Sequence, residues 1–208
     1  MANNTVVTLD TTPGIGRGDI TVNAPVIWST NTLELKAAGN IIFNASLTGG
    51  KLTLFYEQGS ASGSATDYVL NNGATISFTG TDAAFTTQKG NASALKKYNI
   101  VSSLGEVGST DVTTLQGISS KSSTDNYVLG TDINAQNSGG WNGVAGFIPL
   151  AKLLGTLDGL GHTVDGLYMR STNNNVGLFS SLDANSEVRN LGLTKASITG
   201  VNFVGGIA

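Results

Sequence analysis

The apolar positions of the chain fall into short, evenly spaced clusters. They include ITV at 20–22, VIW at 26–28, LEL at 33–35, IIF at 41–43, LTLFY at 52–56, YVL at 68–70 and ISF at 76–78, most of them bounded on at least one side by Asn, Ser, Asp or Thr. Runs this short between turn residues predict strands, not helices. Long stretches with a 3.6-residue apolar period are missing. The best helical candidate, NASALKKYNIVSSLG at 91–105, predicts a turn or two of helix.

The clusters also repeat. GDITVNA at 18–24 returns as GNIIFNA at 39–45, 21 residues later, and TLELK at 32–36 returns as KLTLF at 51–55, 19 later. A period near 20 with short strands is what one coil of a β-solenoid requires. Three strands per coil would pair with their equivalents in the coils above and below, about 4.8 Å apart. Inward side chains would fill the middle with Val, Ile, Leu and Phe. Gly and Asn would take the corners, where positive φ is needed and stacked Asn amides can form ladders. A β-sandwich would show more hairpin dipeptides and longer alternating strands.

Two segments interrupt the period: EQGSASGSATD at 57–67 and TGTDAAFTTQKGNASALKK at 79–97. Both are expected to leave the coils at corners as candidate interaction loops. A second repeat follows. VGLFSSL at 176–182 returns as VGGIA at 204–208, 28 residues later, and HTVDGLYM is related to EVRNLGLT with apolar cores 24 apart. Val164, Leu167, Val188, Leu191 and Leu193 are the expected core positions there.

Composition narrows the function. Charged residues make up 12%, the net charge is −3, and only Lys96 and Lys97 are adjacent cations. No basic cluster suits a nucleic-acid groove or an anionic membrane. Apolar residues at 39% are too many for a disordered chain. Without cysteine there are no disulfides and no Cys-based zinc site. No run approaches the 18 apolar residues of a membrane-spanning helix, so membrane insertion is not expected. MANNTVVTLD lacks the regions of a signal peptide. It and the apolar final stretch GVNFVGGIA read as the ends of a fragment of a longer chain.

Several ordered motifs resemble a known family. NYVLGTDINA…GW…GF.P, GTLDGLGHTVDGL, VGLFSSL, VRNLGL and VGGIA resemble, in order, the GLUG-type repeats of filamentous-haemagglutinin-like exoproteins. GDITVNAPVIWSTNTLELKAAGNIIFNASL resembles the haemagglutinin-type coils that precede such repeats, and YNIVSSLGEVGSTDVTTLQGIS their junction. The resemblance implies an all-β fold, a right-handed parallel β-helix with extra-helical loops. It divides the chain into haemagglutinin-type coils at 1–78, an insertion and junction with a short helix at 79–115, and GLUG-type coils at 116–208, truncated at the C-terminus. It further implies an internal segment of a large secreted adhesin on the bacterial cell surface, exported by an outer-membrane partner transporter. Such a segment would be a rigid rod that presents binding surfaces to a host cell-surface glycan or protein. The family's amino-terminal secretion domain is not recognisable in this sequence. The rival readings are a non-binding stalk of a toxin-delivery or haem-acquisition exoprotein, and a polysaccharide-degrading β-helix enzyme.

Candidate chemistry is sparse. His162 is the single histidine, with Asp158 four residues before it and Asp165 three after. A general base needs an orienting partner and a pocket, and DGLGH reads as a turn, so a structural corner is expected. The acids are scattered, without the close pair that glycosidic chemistry uses. GIGRG at 14–18 lacks the setting and the Lys-Ser/Thr of a phosphate loop. No catalytic residue, cofactor or metal is expected. The polar loop TDINAQNSGGWNG holds the best binding candidates: Asp132, Asn134, Trp141 and Asn142. Asn3, Asn44 and Asn91 open N-x-Ser/Thr sequons, and Asn44 and Asn91 are the candidates for glycosylation.

Overall fold

The computed structural model describes residues 6–11, 18–59, 66–120 and 125–208. It is mostly strand, with about 7% helix, and forms a β-solenoid of about 6 turns with parallel strands. Two compact units make it up, Met1–Tyr98 and Asn99–Ala208.

In the first unit each coil supplies one strand to each of three sheets. The first coil has β1 (Val6–Asp10), β2 (Ile20–Val22) and β3 (Val26–Ile27). The second has β4 (Thr32–Lys36), β5 (Ile41–Phe43) and β6 (Leu47–Gly49), and the third β7 (Lys51–Tyr56), β8 (Tyr68–Leu70) and β9 (Ile76–Phe78). Strand β10 (Ala84–Lys89) opens a fourth. The sheets run β1-β4-β7-β10, β2-β5-β8 and β3-β6-β9, all parallel. Register follows the repeat read from the sequence, with Ile20 against Ile41 and Thr32 against Lys51.

The strict two-residue alternation of a strand explains which side chains face inward. In β7, Leu52, Leu54 and Tyr56 are buried while Lys51, Thr53 and Phe55 are half-exposed. Equivalent positions stack into columns: Leu33–Leu52–Phe85, Ile20–Ile41–Tyr68 and Val26–Leu47–Ile76. Trp28 lies across the backbone at Gly49, where a Cβ would come within 2.1 Å of the ring. Its indole N–H donates to Lys51 O at 3.1 Å.

Corners are held by side-chain ladders. Asn44 Nδ2 donates to Asn23 Oδ1 at 2.8 Å, and Asn71 Nδ2 donates to Asn44 Oδ1 at 3.1 Å. A second ladder joins Asp19, Asn40 and Asp67: Asn40 N donates to Asp19 Oδ1 at 2.7 Å and Asp67 N to Asn40 Oδ1 at 3.0 Å. Each such bond satisfies polar groups that the turn would otherwise leave unpaired.

Two expectations for 79–115 are corrected. Strand β10 pairs in parallel with β7 over its full length, Ala84 against Lys51 through Lys89 against Tyr56, so this part of 79–97 belongs to a coil and not to an excursion. The stretch expected to hold a short helix contains instead β11 (Lys96–Val101). Lys96–Tyr98 run antiparallel to β10, Tyr98 opposite Phe85. The reason is cross-strand packing: the Tyr98 ring lies 5.0 Å from Phe85, and alternation along KKYNIV overrides weak helix propensity. In the excursion read at 57–67, residues 60–65 lie outside the described residues, as do Asn3 and most of GIGRG.

In the second unit, Asn99–Val101 of β11 pair in parallel with β12 (Tyr127–Leu129). Then come β13 (Ile133–Asn134), β14 (Thr156–Asp158), β15 (Thr163–Asp165), β16 (Tyr168–Arg170), β17 (Glu187–Arg189), β18 (Gly192–Thr194) and β19 (Ser197–Thr199). Their sheets are β12-β14-β17, β13-β15-β18 and β16-β19. Leu157, Val164, Leu167, Val176 and Leu178 are fully buried, around Tyr127, Phe147 and Phe179. Of the expected core positions here, Val164 and Leu167 are buried, while Val188, Leu191 and Leu193 are half-exposed in the last coil. The register corrects the 24-residue offset. Val164 pairs with Leu193 and Leu157 with Val188, because the coil spans 29 residues on one sheet and 31 on another. The 28-residue repeat holds, with Val176 against Val204.

Candidate functional site

The corner after β13 departs from coil regularity. Ile133 and Asn134 pair with Val164 and Asp165, and Gly146 bridges Met169. Residues 135–145 therefore occupy a corner that the next coil turns with 166–168 alone. Both ends of this loop are fixed. Ser138 Oγ, fully buried, donates to Ala135 O at 2.6 Å and accepts from Tyr168 N at 3.0 Å. On the return side, Phe147 N donates to Tyr168 O at 2.8 Å and Arg170 N to Ala145 O at 2.7 Å.

Between these anchors the backbone turns sharply. A 3-10 segment over Gln136–Val144 is broken at Trp141 (φ −78°, ψ 154°), Asn142 (φ 50°, ψ 43°) and Gly143 (φ 64°, ψ 42°). Val144 follows at φ 67°. Asn and Gly adopt the left-handed region readily, but a β-branched residue there is strained. Val144 is also 63% exposed, and Ile148 at the loop's exit is 57% exposed. The tip is thus both apolar and strained, on a rigid base.

The four expected binding residues divide into two groups. Trp141 and Asn142 belong to this tip. The Trp141 ring stacks on Phe147 with centroids 5.9 Å apart, and Asn142 Nδ2 donates to Gly146 O at 2.8 Å. Asp132 and Asn134 sit at the loop's root. Asn134 Oδ1 accepts from Gln136 N at 3.0 Å, and Asp132 Oδ1 accepts from Thr163 N at 2.8 Å. Val144 and Ile148 were missed by sequence reasoning. Their signal was two β-branched aliphatic residues beside Trp141 and Phe147 in the glycine-rich GWNGVAGFIP.

His162 is buried at the following coil's corner. Its Nδ1 lies 3.4 Å from Oδ1 of Asp132, one coil earlier. Asp158 bonds Leu160 N and Asn190 and lies beside Arg189, and Asp165 bonds Thr194, Lys195 and Gln136. Among the described residues no group of three or more His, Asp or Glu could hold a metal ion. The sequon asparagines also have structural bonds: Asn44 stands in the Asn23–Asn71 ladder, and Asn91 Nδ2 donates to Gln58 O at 2.8 Å.

Coil-to-coil contacts set the acid response of this unit. The Thr163 N–H holds the Asp132 carboxyl below its ordinary range, with Thr163 Oγ1 and His162 adding to the effect. The Thr194 hydroxyl and Lys195 do the same for Asp165, and Lys152 for Asp183. A carboxyl whose pKa is lower folded than unfolded stabilises fully above the unfolded value and loses that contribution as pH falls through the folded one. The second unit is therefore expected to keep its melting temperature down to about pH 5 and to lose stability below about pH 4. Melting scans of wild type and Asp132→Asn between pH 7 and pH 2.5 check this; the variant should show the shallower acid decline.

No helix among the described residues is long and apolar enough to cross a membrane. No family model matches the chain, and no solved structure matches it. Halomucin of Haloquadratum walsbyi (strain DSM 16790 / HBSQ001) is 34% identical to it over 164 residues, which cover 67% of this chain. The chain spans 2% of Halomucin's length.

Proposed function

We propose that this chain is a stretch of coils from a large secreted surface protein of the filamentous-haemagglutinin-like class, built to present corner loops to a glycan or protein on another surface. The observation that carries this reading is the 135–145 corner: a strained apolar tip on a base fixed by buried hydrogen bonds. Strain and exposed apolar groups concentrated on a rigid scaffold are the usual marks of a binding loop. The polar groups of the described corners are largely engaged in ladders between coils, which supports a structural and presentational role over an enzymatic one. Likeness to a small part of a very long protein supports the same reading. Export through an outer-membrane partner belongs to the proposal.

A glycan array and whole-cell binding with the purified chain test it. Val144→Asn is the informative variant. Asparagine tolerates the left-handed backbone at this position, so the melting temperature should hold or rise, while the apolar contact is lost. Binding that falls at least tenfold in Val144→Asn and in Ile148→Ser supports the loop as the contact. Absence of binding to every glycan and cell type would favour the non-binding stalk.

A further inference from the structure

Among the described residues of the second unit, the other lysines and arginines lie beside carboxylates. Lys152 is 2.8 Å from Asp183, Lys195 is 3.2 Å from Asp165, and Arg189 is 3.5 Å from both Asp158 and Glu187. Arg170 is exposed and pairs with no carboxylate among the described residues. The chain carries a net charge of −3, so a shortage of acids does not explain it.

The fold places Arg170 beside the 135–145 tip. Gly146 bridges Met169 in antiparallel fashion, with Phe147 N donating to Tyr168 O and Arg170 N to Ala145 O. Arg170 therefore stands opposite Ala145, the residue after Val144. Met169 between them is buried, so Tyr168 and Arg170 take the outward face of β16. The Tyr168 ring lies against Gly146, at φ 90°, where a Cβ would stand 2.8 Å from Tyr168 Cδ1. On the loop, Trp141 has one ring face against Phe147 and is half-exposed. Asn142 donates its Nδ2 to Gly146 O, which leaves its Oδ1 as an acceptor at the tip.

We infer that the 135–145 tip and the outward face of β16 together bind a carboxylate-bearing sugar, with Arg170 taking the acid. The inference rests on the binding role proposed for this corner and names its ligand class. A guanidinium offers two parallel N–H donors that match a planar carboxylate. An exposed ion pair alone contributes little, so the neighbouring surface must supply the rest of the contact. A sugar acid has a C–H face for Val144 and the aromatic rings, and hydroxyls for Asn142 Oδ1. A neutral sugar leaves Arg170 without an acid. An acidic peptide brings the carboxylate without the hydroxyl-bearing ring.

An array of carboxylated, sulfated and neutral glycans, followed by titration of the tightest carboxylated ligand and of its methyl ester, reads the outcome. The ester removes the charge and keeps the rest of the sugar. Esterification should weaken binding to wild type at least about fivefold, and to Arg170→Gln less than about twofold. Arg170→Lys keeps the charge without the fork and should fall between. Lys97→Gln, which removes an exposed cation of the first unit, should bind as wild type does. Added salt should weaken wild-type binding more steeply than that of Arg170→Gln. Neutral or sulfated glycans bound more tightly than carboxylated ones, or an ester bound as tightly as its acid, would overturn the inference. If Val144→Asn still abolishes that binding, the corner remains the contact and only the ligand class falls. Cell binding that survives enzymatic removal of surface glycans would point to a protein ligand and overturn it too. Binding to no glycan and no cell would remove both readings.

Discussion

Phe85→Ala is expected to destabilise the first unit by about 3–5 kcal/mol, the range for removing a buried aromatic side chain. Phe85 is 1% exposed and ends the column Leu33–Leu52–Phe85. Its ring is 5.0 Å from Tyr98, 5.7 Å from Phe78 and 6.2 Å from Tyr68, so one deletion strips three aromatic contacts along with its own burial. The cavity would open where β10 pairs in parallel with β7 on one side and antiparallel with β11 on the other. A solenoid buries each coil only against its neighbours, so the loss cannot be spread over a larger core. Urea unfolding monitored by tyrosine and tryptophan fluorescence measures it. Phe55→Ala, on the outward side of β7, should cost much less; equal costs would show that Phe85 does not hold this end of the unit.

Asp158→Ala should cost the second unit a comparable amount, about 3–5 kcal/mol, because it leaves two buried donors without their acceptor and takes one of two carboxylates from beside Arg189. Asp158 is 0% exposed. Its Oδ1 accepts from Leu160 N at 2.8 Å and from Asn190 Nδ2 at 3.0 Å, and its Oδ2 lies 3.5 Å from Arg189 Nε. The first contact holds Leu160 at φ 48°; the other two reach the following coil. No larger turn residue fits beside it, since a Cβ on Gly159 would stand 2.4 Å from Asn190 O. Asp158→Asn keeps an acceptor for Leu160 N and should lose less. Adding Arg189→Met to Asp158→Ala should recover part of the deficit by removing a half-buried cation that has lost one of its carboxylates. Thermal melts of wild type, Asp158→Ala, Arg189→Met and the double variant, compared as a double-mutant cycle, give the coupling.

The coil architecture was legible because the solenoid writes its spacing into the sequence. GDITVNA and GNIIFNA are stacked strands with the register their alignment implies, and Asn23 and Asn44 of those motifs form a ladder. Legibility failed where the pattern was local and the cause was not. KKYNIV carries strand alternation, but its pairing with β10 depends on Phe85, which precedes Tyr98 by 13 residues. The 24-residue alignment of Val164 with Val188 matched apolar letters without knowing which corner each followed. At the candidate site, GWNG marked the turn correctly. Its exposed apolar tip was hidden because Val144 and Ile148 read as core residues by type, and Val144 is turned out with the left-handed backbone at 142–144. His162 misled in the opposite way. Sequence proximity pointed to Asp158 and Asp165, while a carboxylate beside its Nδ1, that of Asp132, is 30 positions away.

The corner between Asn134 and Gly146 has one more consequence. Ile133 before the corner and Leu150 after it both keep parallel partners in the next coil, Val164 and Phe179, although one coil reaches Gly146 through 135–145 and the next reaches Met169 through 166–168. Length at that corner is therefore uncoupled from packing inside. The fold keeps one ledger for what lies within the coil and another for what hangs from its corner, and the second can be rewritten without touching the first. A lineage built this way can change what it touches by exchanging loops, while the inherited coil stays constant.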